Sequence, residues 1–197
     1  MIPFPDKKYQ IIYADPPWSY KDKARAGQRG ASFKYPTQEK EWLQKLPVQS
    51  ISDTNCVLFM WVTMPMLPEG LELIKAWGFE FKTVAFTWVK RNKIQDSWFF
   101  GMGNWTRSNA ELCLLGKKGN IKRIYAGISS IIDSSIQEHS KKPDIVRNKI
   151  IALMGDLPRI ELFARKRTEG WDAWGNEILN NSDLLIPVPK RKIQIDS

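Results

Sequence analysis

The four residues Asp15-Pro16-Pro17-Trp18 are the part of the sequence whose types and spacing most directly indicate chemistry. Two consecutive prolines lack backbone N–H groups and fix the chain, so we expect the carbonyls of Asp15 and Pro16 to be free acceptors in a rigid array. A carboxylate beside such a carbonyl can accept both hydrogens of an aromatic NH2 group, which leaves the nitrogen lone pair able to attack an electrophilic methyl. Positioning and electrostatics then suffice for catalysis, without a covalent enzyme intermediate. Trp18 is expected to offer a flat face on which an extruded base stacks.

The alternative interpretation of this tetrapeptide is a proline-rich turn that ends a strand, with Trp18 anchored in the core. Its position favours a functional site. Residues 9–14 (YQIIYA) have the apolar, β-branched and aromatic pattern of a buried strand, and the tetrapeptide follows them directly. In sheets of parallel strands, ligands bind beyond the carboxyl ends of the strands.

Strand-like and helix-like segments alternate along the chain. Strands are predicted at residues 9–14, 55–62, 79–90, 110–115 and 158–164, and helices at 37–46, 67–77 and 144–154. This alternation predicts an α/β fold with a mostly parallel central sheet and helices on both faces. Neither GxGxxG nor a Walker loop follows a predicted strand, so the sequence does not indicate an NAD-type or P-loop site.

The composition predicts a globular protein with a polyanionic partner. The formal net charge is +9 and 43% of the residues are hydrophobic, and attraction to phosphates needs only clustered Lys and Arg; a basic surface that binds nothing is the alternative. The longest apolar stretch is too short to cross a bilayer, and we recognise no signal peptide, so we expect a cytoplasmic location without membrane association. Cys56 and Cys113 lack metal-ligand spacing and are expected to be buried, reduced thiols, with no metal site.

Four segments occur in the order typical of one enzyme family: YADPPWSY, HSKKPD (residues 139–144), IELFAR (160–165) and WDAWGNE (171–177). Together they resemble the MT-A70 family of S-adenosylmethionine-dependent N6-adenine methyltransferases, and in particular its short bacterial and phage-type members. The resemblance implies a Rossmann-like methyltransferase fold with a permuted motif order, in which the DPPW motif is N-terminal and the cofactor motifs are C-terminal. Residues 1–179 would form a single methyltransferase domain, and residues 180–197 a basic, flexible tail.

The resemblance also implies that S-adenosylmethionine lies between Asp15 and the C-terminal motifs. Lys142 would bind near its methionine end, and Phe163 and Arg165 would close the strand that carries its adenosine moiety. Asn176 and Glu177 would hold the ribose hydroxyls. Without the family, Lys-Pro-Asp is only a helix start, and residues 171–177 are an aromatic turn packed on the core.

Two predicted loops carry basic residues interleaved with aromatic ones, which suits a nucleic acid with unpaired bases. The substrate-binding candidates are Lys21, Lys23, Arg25, Arg29 and Tyr35 in the first loop, Arg91 and Arg107 in the second, and Glu111 at the start of the next strand. By resemblance, the first loop gates an adenine pocket, Tyr35 packs against the flipped base, and Glu111 reaches the same pocket. The alternative is a pair of solvated charged loops whose aromatic residues pack into the core.

Several functions remain open at this stage. DNA is favoured as the substrate because the chain resembles short bacterial and phage-type members, and RNA is the alternative because both polymers present the same flipped base. A catalytically silent nucleic-acid-binding partner of an active paralogue is the hypothesis from another class. The target sequence would be selected by the loops or by a partner subunit, and a homodimer is also left open.

Overall fold

The computed structural model describes residues 3–18, 40–103, 105–138 and 141–179. The strands are β1 (Tyr9–Ala14), β2 (Ser52–Val62), β3 (Glu80–Arg91), β4 (Ala110–Lys118), β5 (Ile131–Ser135), β6 (Arg159–Leu162) and β7 (Asp172–Trp174). The helices are α1 (Lys40–Lys45), α2 (Leu67–Ala76), α3 (Ile145–Met154) and α4 (Asn176–Leu179). Among these described residues, no helix is long and apolar enough to cross a membrane.

The strands form one sheet in the order β5-β3-β4-β2-β1-β6-β7. Strand β4 is antiparallel to β2 and β3, and the other neighbouring strands are parallel. The predicted mostly parallel sheet is therefore confirmed. The carboxyl ends of six strands and the start of β4 meet at one edge of this sheet, which we call the carboxyl edge.

Helices cover both faces of the sheet, as predicted, because the side chains of β1 and β2 alternate between two apolar clusters. One cluster joins Ile12 and Met60 to Leu43 of α1 and to Leu73 and Ile74 of α2. The cluster on the opposite face joins Ile11, Phe59 and Trp61 to Val146 and Ile150 of α3. Both faces of β1 are thus buried, and this packing holds the carboxyl end of the strand, where Asp15 follows, in a defined position.

Two strands of the sheet are absent from the sequence prediction. Strand β5 contains only two apolar residues and lies at the edge of the sheet, where one face of a strand need not be apolar. Strand β7 has three residues, too few for a periodic pattern, so the sequence alone indicates only an aromatic turn there. The first basic loop, His139 and the predicted tail at 180–197 lie outside the described residues.

The two cysteines are both buried and free, as expected. Burial raises the pKa of the Cys56 thiol to about 12, and it raises the pKa of Cys113 as well. Neither thiol therefore has the thiolate character of a reactive cysteine.

Candidate active site

The carboxylate of Asp15 lies on the wall of a cavity at the carboxyl edge. Asp15 is the first residue after β1, and its Oδ2 is 2.9 Å from Nζ of Lys142. The cavity has a volume of about 420 Å³, and its walls include Asp15, Lys142, Glu161 and Phe163. The structure therefore brings together segments that lie 127 positions apart in the sequence.

Asp15 is the end of a chain of four alternating charges. Lys142 also lies 3.3 Å from Oε2 of Glu111, whose Oε1 accepts a hydrogen bond of 2.5 Å from Lys90. The side chains of Lys90, Glu111 and Lys142 are between 11% and 13% exposed, and that of Asp15 is 26% exposed. Each buried ion thus has a counter-ion, which is the condition under which burial of charge is tolerated.

Burial and neighbouring charges shift the pKa values along this chain in different directions. Burial raises the pKa of the Asp15 carboxyl, although Lys142 opposes the shift. Burial also disfavours ionised Glu111, but Lys142 and Lys90 together hold the pKa of Glu111 below its usual range. Burial disfavours the Lys142 ammonium as well, yet Asp15 and Glu111 raise the pKa of Lys142 above its usual range. Lys142 is therefore charged at neutral pH, while Asp15 ionises less readily than a solvated aspartate.

The Asp15-Pro16-Pro17-Trp18 segment differs from expectation in two respects. The carbonyl of Pro16 is not free, because the first N–H after the proline pair, that of Trp18, donates to it at 2.9 Å. This bond closes a three-residue turn and leaves the carbonyl one further lone pair. Trp18 is 6% exposed and belongs to the core. Its indole N–H donates to the carbonyl of Trp61 at 3.1 Å, so the ring is packed as an anchor and is not an open platform.

The cofactor-side residues predicted by resemblance lie around the ends of β6 and β7. Phe163 has a φ of 61°, a left-handed conformation that is uncommon for a residue other than glycine and is found at functional sites. Its ring packs against Trp77 and Trp174. Arg165 lies 3.7 Å from Glu177 as an ion pair, and both side chains line the cavity, whereas Asn176 is exposed beside them.

The glycine that precedes α4 permits this arrangement. A Cβ on Gly175 would overlap the backbone nitrogen and carbonyl oxygen of Ala164. The N–H of Ala164 donates to the carbonyl of Trp174 at 3.1 Å, which ties the two segments together. A larger residue at position 175 would therefore move Glu177 away from Arg165.

Sequence reasoning missed a further, more deeply buried ion pair in the cavity wall. Arg147 of α3 donates to both carboxylate oxygens of Glu161, at 2.7 and 2.8 Å, and the two side chains are 12% and 11% exposed. Tyr13 of β1 lies beside them, and its hydroxyl accepts a hydrogen bond from the indole of Trp61. An acidic residue inside the apolar segment IELFA was the available signal, because a buried carboxylate requires a partner.

The described candidates for substrate binding lie outside the cavity wall. Glu111 is held between Lys90 and Lys142, behind the wall. Arg91 forms a bidentate pair with Asp133 of β5, at 2.6 and 2.7 Å, and Arg107 is exposed. Arg91 is the last residue of β3 and Arg107 precedes β4, so both belong to the connection that leaves the carboxyl edge. Lys21, Lys23, Arg25, Arg29 and Tyr35 lie outside the described residues.

Comparisons with known proteins identify the family of this chain. The MT-A70 family model matches residues 9–177. The chain is 40% identical over 201 residues to the Type II methyltransferase M.MunI of Mycoplasma sp, covering 93% of this chain and 83% of that protein. It is 30% identical over 184 residues to the human N(6)-adenosine-methyltransferase catalytic subunit METTL3, covering 91% of this chain and 30% of that protein. The chain is also 29% identical to the N(6)-adenosine-methyltransferase MT-A70-like protein of Drosophila melanogaster, and the match covers 93% of this chain and 30% of that protein. With Asp15-Pro16-Pro17-Trp18 at the end of a central strand and a family match over nearly all of the described residues, the chain belongs to the MT-A70 family.

Proposed function

We propose that this protein is an S-adenosylmethionine-dependent methyltransferase that methylates the exocyclic N6 of adenine in DNA. The observation that carries the proposal is the Asp15 carboxylate, which lies at the carboxyl end of β1 on the wall of a cavity and is paired with Lys142. Family membership and similarity to a Type II methyltransferase support the same reaction.

In this mechanism Asp15 and Pro16 hold the amino group of a flipped adenine. The Asp15 carboxylate accepts one hydrogen of the N6 amine, and the remaining lone pair of the Pro16 carbonyl accepts the other. When bound, S-adenosylmethionine supplies an electrophilic methyl on a sulfonium. Transfer of that methyl to N6, with its bond to sulfur broken, would leave the nitrogen with one proton to lose. Burial raises the pKa of Asp15, which makes its carboxylate a suitable first acceptor for that proton.

The cavity suits this cofactor in size and chemistry. Its volume of about 420 Å³ lies in the range of small-molecule sites. Carboxylates of Glu161 and Glu177 can accept hydrogen bonds from hydroxyl or ammonium groups, and the ammonium of Lys142 can attract a carboxylate. Phe163 adds an apolar residue to the same lining. These residues would hold the ribose and the amino-acid end of S-adenosylmethionine, with Asn176 beside the ribose.

The order of these segments along the chain supports a permuted methyltransferase arrangement. Strand β1, which carries Asp15, comes first in the sequence, whereas β6 and β7, which carry the proposed cofactor residues, come last. Strands β1 and β6 are nevertheless parallel neighbours in the sheet. The cofactor and the target base would thus meet at adjacent strand ends.

DNA is the proposed polymer because a relative matched over 83% of its own length is a Type II methyltransferase. RNA is the second candidate, since relatives named N(6)-adenosine-methyltransferases match over 91% and 93% of this chain. A catalytically silent partner is disfavoured, because the acidic residue of the proline segment is intact and accessible from the cavity.

The test is to incubate the purified protein with S-adenosylmethionine and either unmethylated plasmid DNA or RNA, and to quantify N6-methyladenine by mass spectrometry. We expect the modified nucleoside in DNA, and its loss in Asp15→Ala. The matched control is Asp53→Ala, because Asp53 lies near the start of β2, at the opposite edge of the sheet. Methylation of RNA alone would show that the substrate is RNA and not DNA. Normal turnover by Asp15→Ala would refute the mechanism.

A further inference from the structure

The loop between β3 and β4 exposes an unusual number of large apolar side chains. We call residues 92–108 the aromatic loop; its described members are 92–103 and 105–108. Phe100 is 65% exposed and Trp105 is 99% exposed, and Ile94, Trp98 and Met102 are also exposed. Single exposed apolar residues are common, but several on one loop indicate a contact surface.

The aromatic loop has a defined backbone structure. Antiparallel bridges join Arg91 to Trp98 and Gly101 to Ser108. A Cβ on Gly101 or on Gly103 would overlap the carbonyl oxygen of Ser108 or Thr106, so these close approaches require glycine. The loop therefore holds Phe100 and Trp105 outward on a compact hairpin, which reduces the entropy lost on binding.

The root of the loop is connected to the candidate active site. The backbone N–H of Phe99 donates to the carbonyl of Lys90 at 2.9 Å. The ammonium of Lys90 pairs with Glu111, Glu111 with Lys142, and Lys142 with Asp15. The aromatic loop therefore leaves the same carboxyl edge of the sheet as Asp15, from strands β3 and β4, which are separated from β1 by β2.

The charge of this region favours a nucleic acid over an apolar protein surface. Between positions 91 and 108 the sequence has three cations, Arg91, Lys93 and Arg107, and one acid, Asp96. Arg91 is paired with Asp96 and Asp133 and stacks 4.2 Å from the Trp98 ring, so it is a structural cation. Lys93 and Arg107 are both exposed beside the outward rings. Exposed aromatic rings flanked by cations are suited to stacking on bases while the cations contact phosphates.

We propose that Phe100 and Trp105 insert into double-stranded DNA beside the target adenine and stack on the bases that its extrusion exposes. This inference rests on the proposed function and specifies its substrate as a duplex that the enzyme itself opens. Extruding a base costs unstacking and unpairing, and apolar side chains inserted between base steps offset that cost. The loss caused by removing the rings should therefore depend on how strongly the target base is paired.

The test compares Phe100→Ala and Trp105→Ala with the wild-type protein on two synthetic duplexes. The target sequence is first identified from the positions that the wild-type protein methylates in plasmid DNA. One duplex then carries that sequence fully paired, and the other carries a mismatch at the target adenine. The control is Tyr125→Ala, because Tyr125 is 57% exposed and lies in the loop after β4, at the opposite edge of the sheet.

We expect each ring variant to lower kcat/KM on the paired duplex about tenfold, the scale of one lost base–aromatic stack. On the mismatched duplex we expect nearly wild-type values, and Tyr125→Ala should be unaffected on both. Equal losses on the two duplexes, or no loss on either, would overturn the inference. It would also be overturned if size-exclusion chromatography showed a wild-type dimer that the ring variants dissociate. Failure of the proposed function is separable, since the wild-type protein would then methylate no DNA.

Discussion

Replacing Lys142 by methionine tests whether the alternating charges at the active site behave as one buried network. The wild-type chain of Lys90, Glu111, Lys142 and Asp15 contains two cations and two anions. Lys142→Met keeps the length and apolar stem of the side chain but leaves two carboxylates with one ammonium. The main change is therefore electrostatic, with little change in packing.

The size of the effect follows from the burial of the partners. Removing one member of a buried ion pair costs about 3–5 kcal/mol. Lys142 and Glu111 are each 11% exposed, but Asp15 is 26% exposed and retains some solvation. We therefore expect Lys142→Met to lower the free energy of unfolding by about 3 kcal/mol at pH 8, the lower end of that range.

The stability lost in Lys142→Met should depend on pH in a defined direction. The raised pKa of Lys142 means that its contribution to stability is fully present below 10.5, its ordinary value, and therefore at pH 8. In the variant, loss of the ammonium raises the pKa of Asp15 further, because Lys142 lowers it in the wild-type protein. As the pH falls, proton binding by Asp15 substitutes for the missing cation, so the difference between variant and wild type should shrink.

Urea unfolding at pH 8 and pH 5 measures both the loss in the free energy of unfolding and its change with pH. The control is Lys141→Met, whose partner Asp144 is 49% exposed, and for which we expect a loss of less than about 1 kcal/mol at either pH. A loss for Lys142→Met that is the same at both pH values would mean that packing, not charge, is responsible. A loss no larger than that of the control would show that water screens the network.

Three further substitutions address the cavity wall and its supports. Arg147→Met leaves the buried Glu161 carboxylate unpaired, so we expect a loss of about 3 kcal/mol in urea unfolding; a loss near zero would contradict the burial of this pair. Gly175→Ala forces the segment that carries Glu177 away from β6, and calorimetry should show weaker S-adenosylmethionine binding than in the wild-type protein, whereas unchanged affinity would contradict the close approach. Trp18→Phe removes one hydrogen bond and should cost about 1 kcal/mol of stability with little change in kcat/KM; a large fall in kcat/KM at unchanged stability would restore Trp18 as a stacking surface.

The central part of the fold could be predicted from the sequence because its strands are buried on both faces. Residues 9–14 are apolar except for Gln10, and residues 56–62 are apolar throughout; the structure places the two segments in adjacent parallel strands. Strands β5 and β7 lie at the two edges of the sheet. An edge strand pairs with only one neighbour and is less buried, so its sequence need not show a continuous apolar pattern. Local pattern therefore indicates the centre of a sheet better than its edges.

The candidate site was predictable where residue type alone carries the chemistry. Asp15 could be located because an acid beside two prolines at a strand end has few structural roles. The pairing of Lys142 with Asp15 and Glu111, and that of Arg147 with Glu161, depends on side chains that meet only after folding. For Trp18 the sequence pattern does not distinguish two roles, because an aromatic residue beside a site can either stack on a ligand or pack in the core. The structure shows the second role.

The topology explains why the cavity lies where it does. From β1 the chain moves to β2 on one side, and it later returns as β6 on the other side. Helix α1, which follows β1, packs on one face of the sheet, while α3, which precedes β6, packs on the opposite face. Connections that diverge to opposite faces leave a crevice between the carboxyl ends of the two strands, and ligands bind in such crevices. Asp15 follows β1 and Phe163 follows β6, so the proposed catalytic and cofactor residues face each other across the opening that the strand order creates.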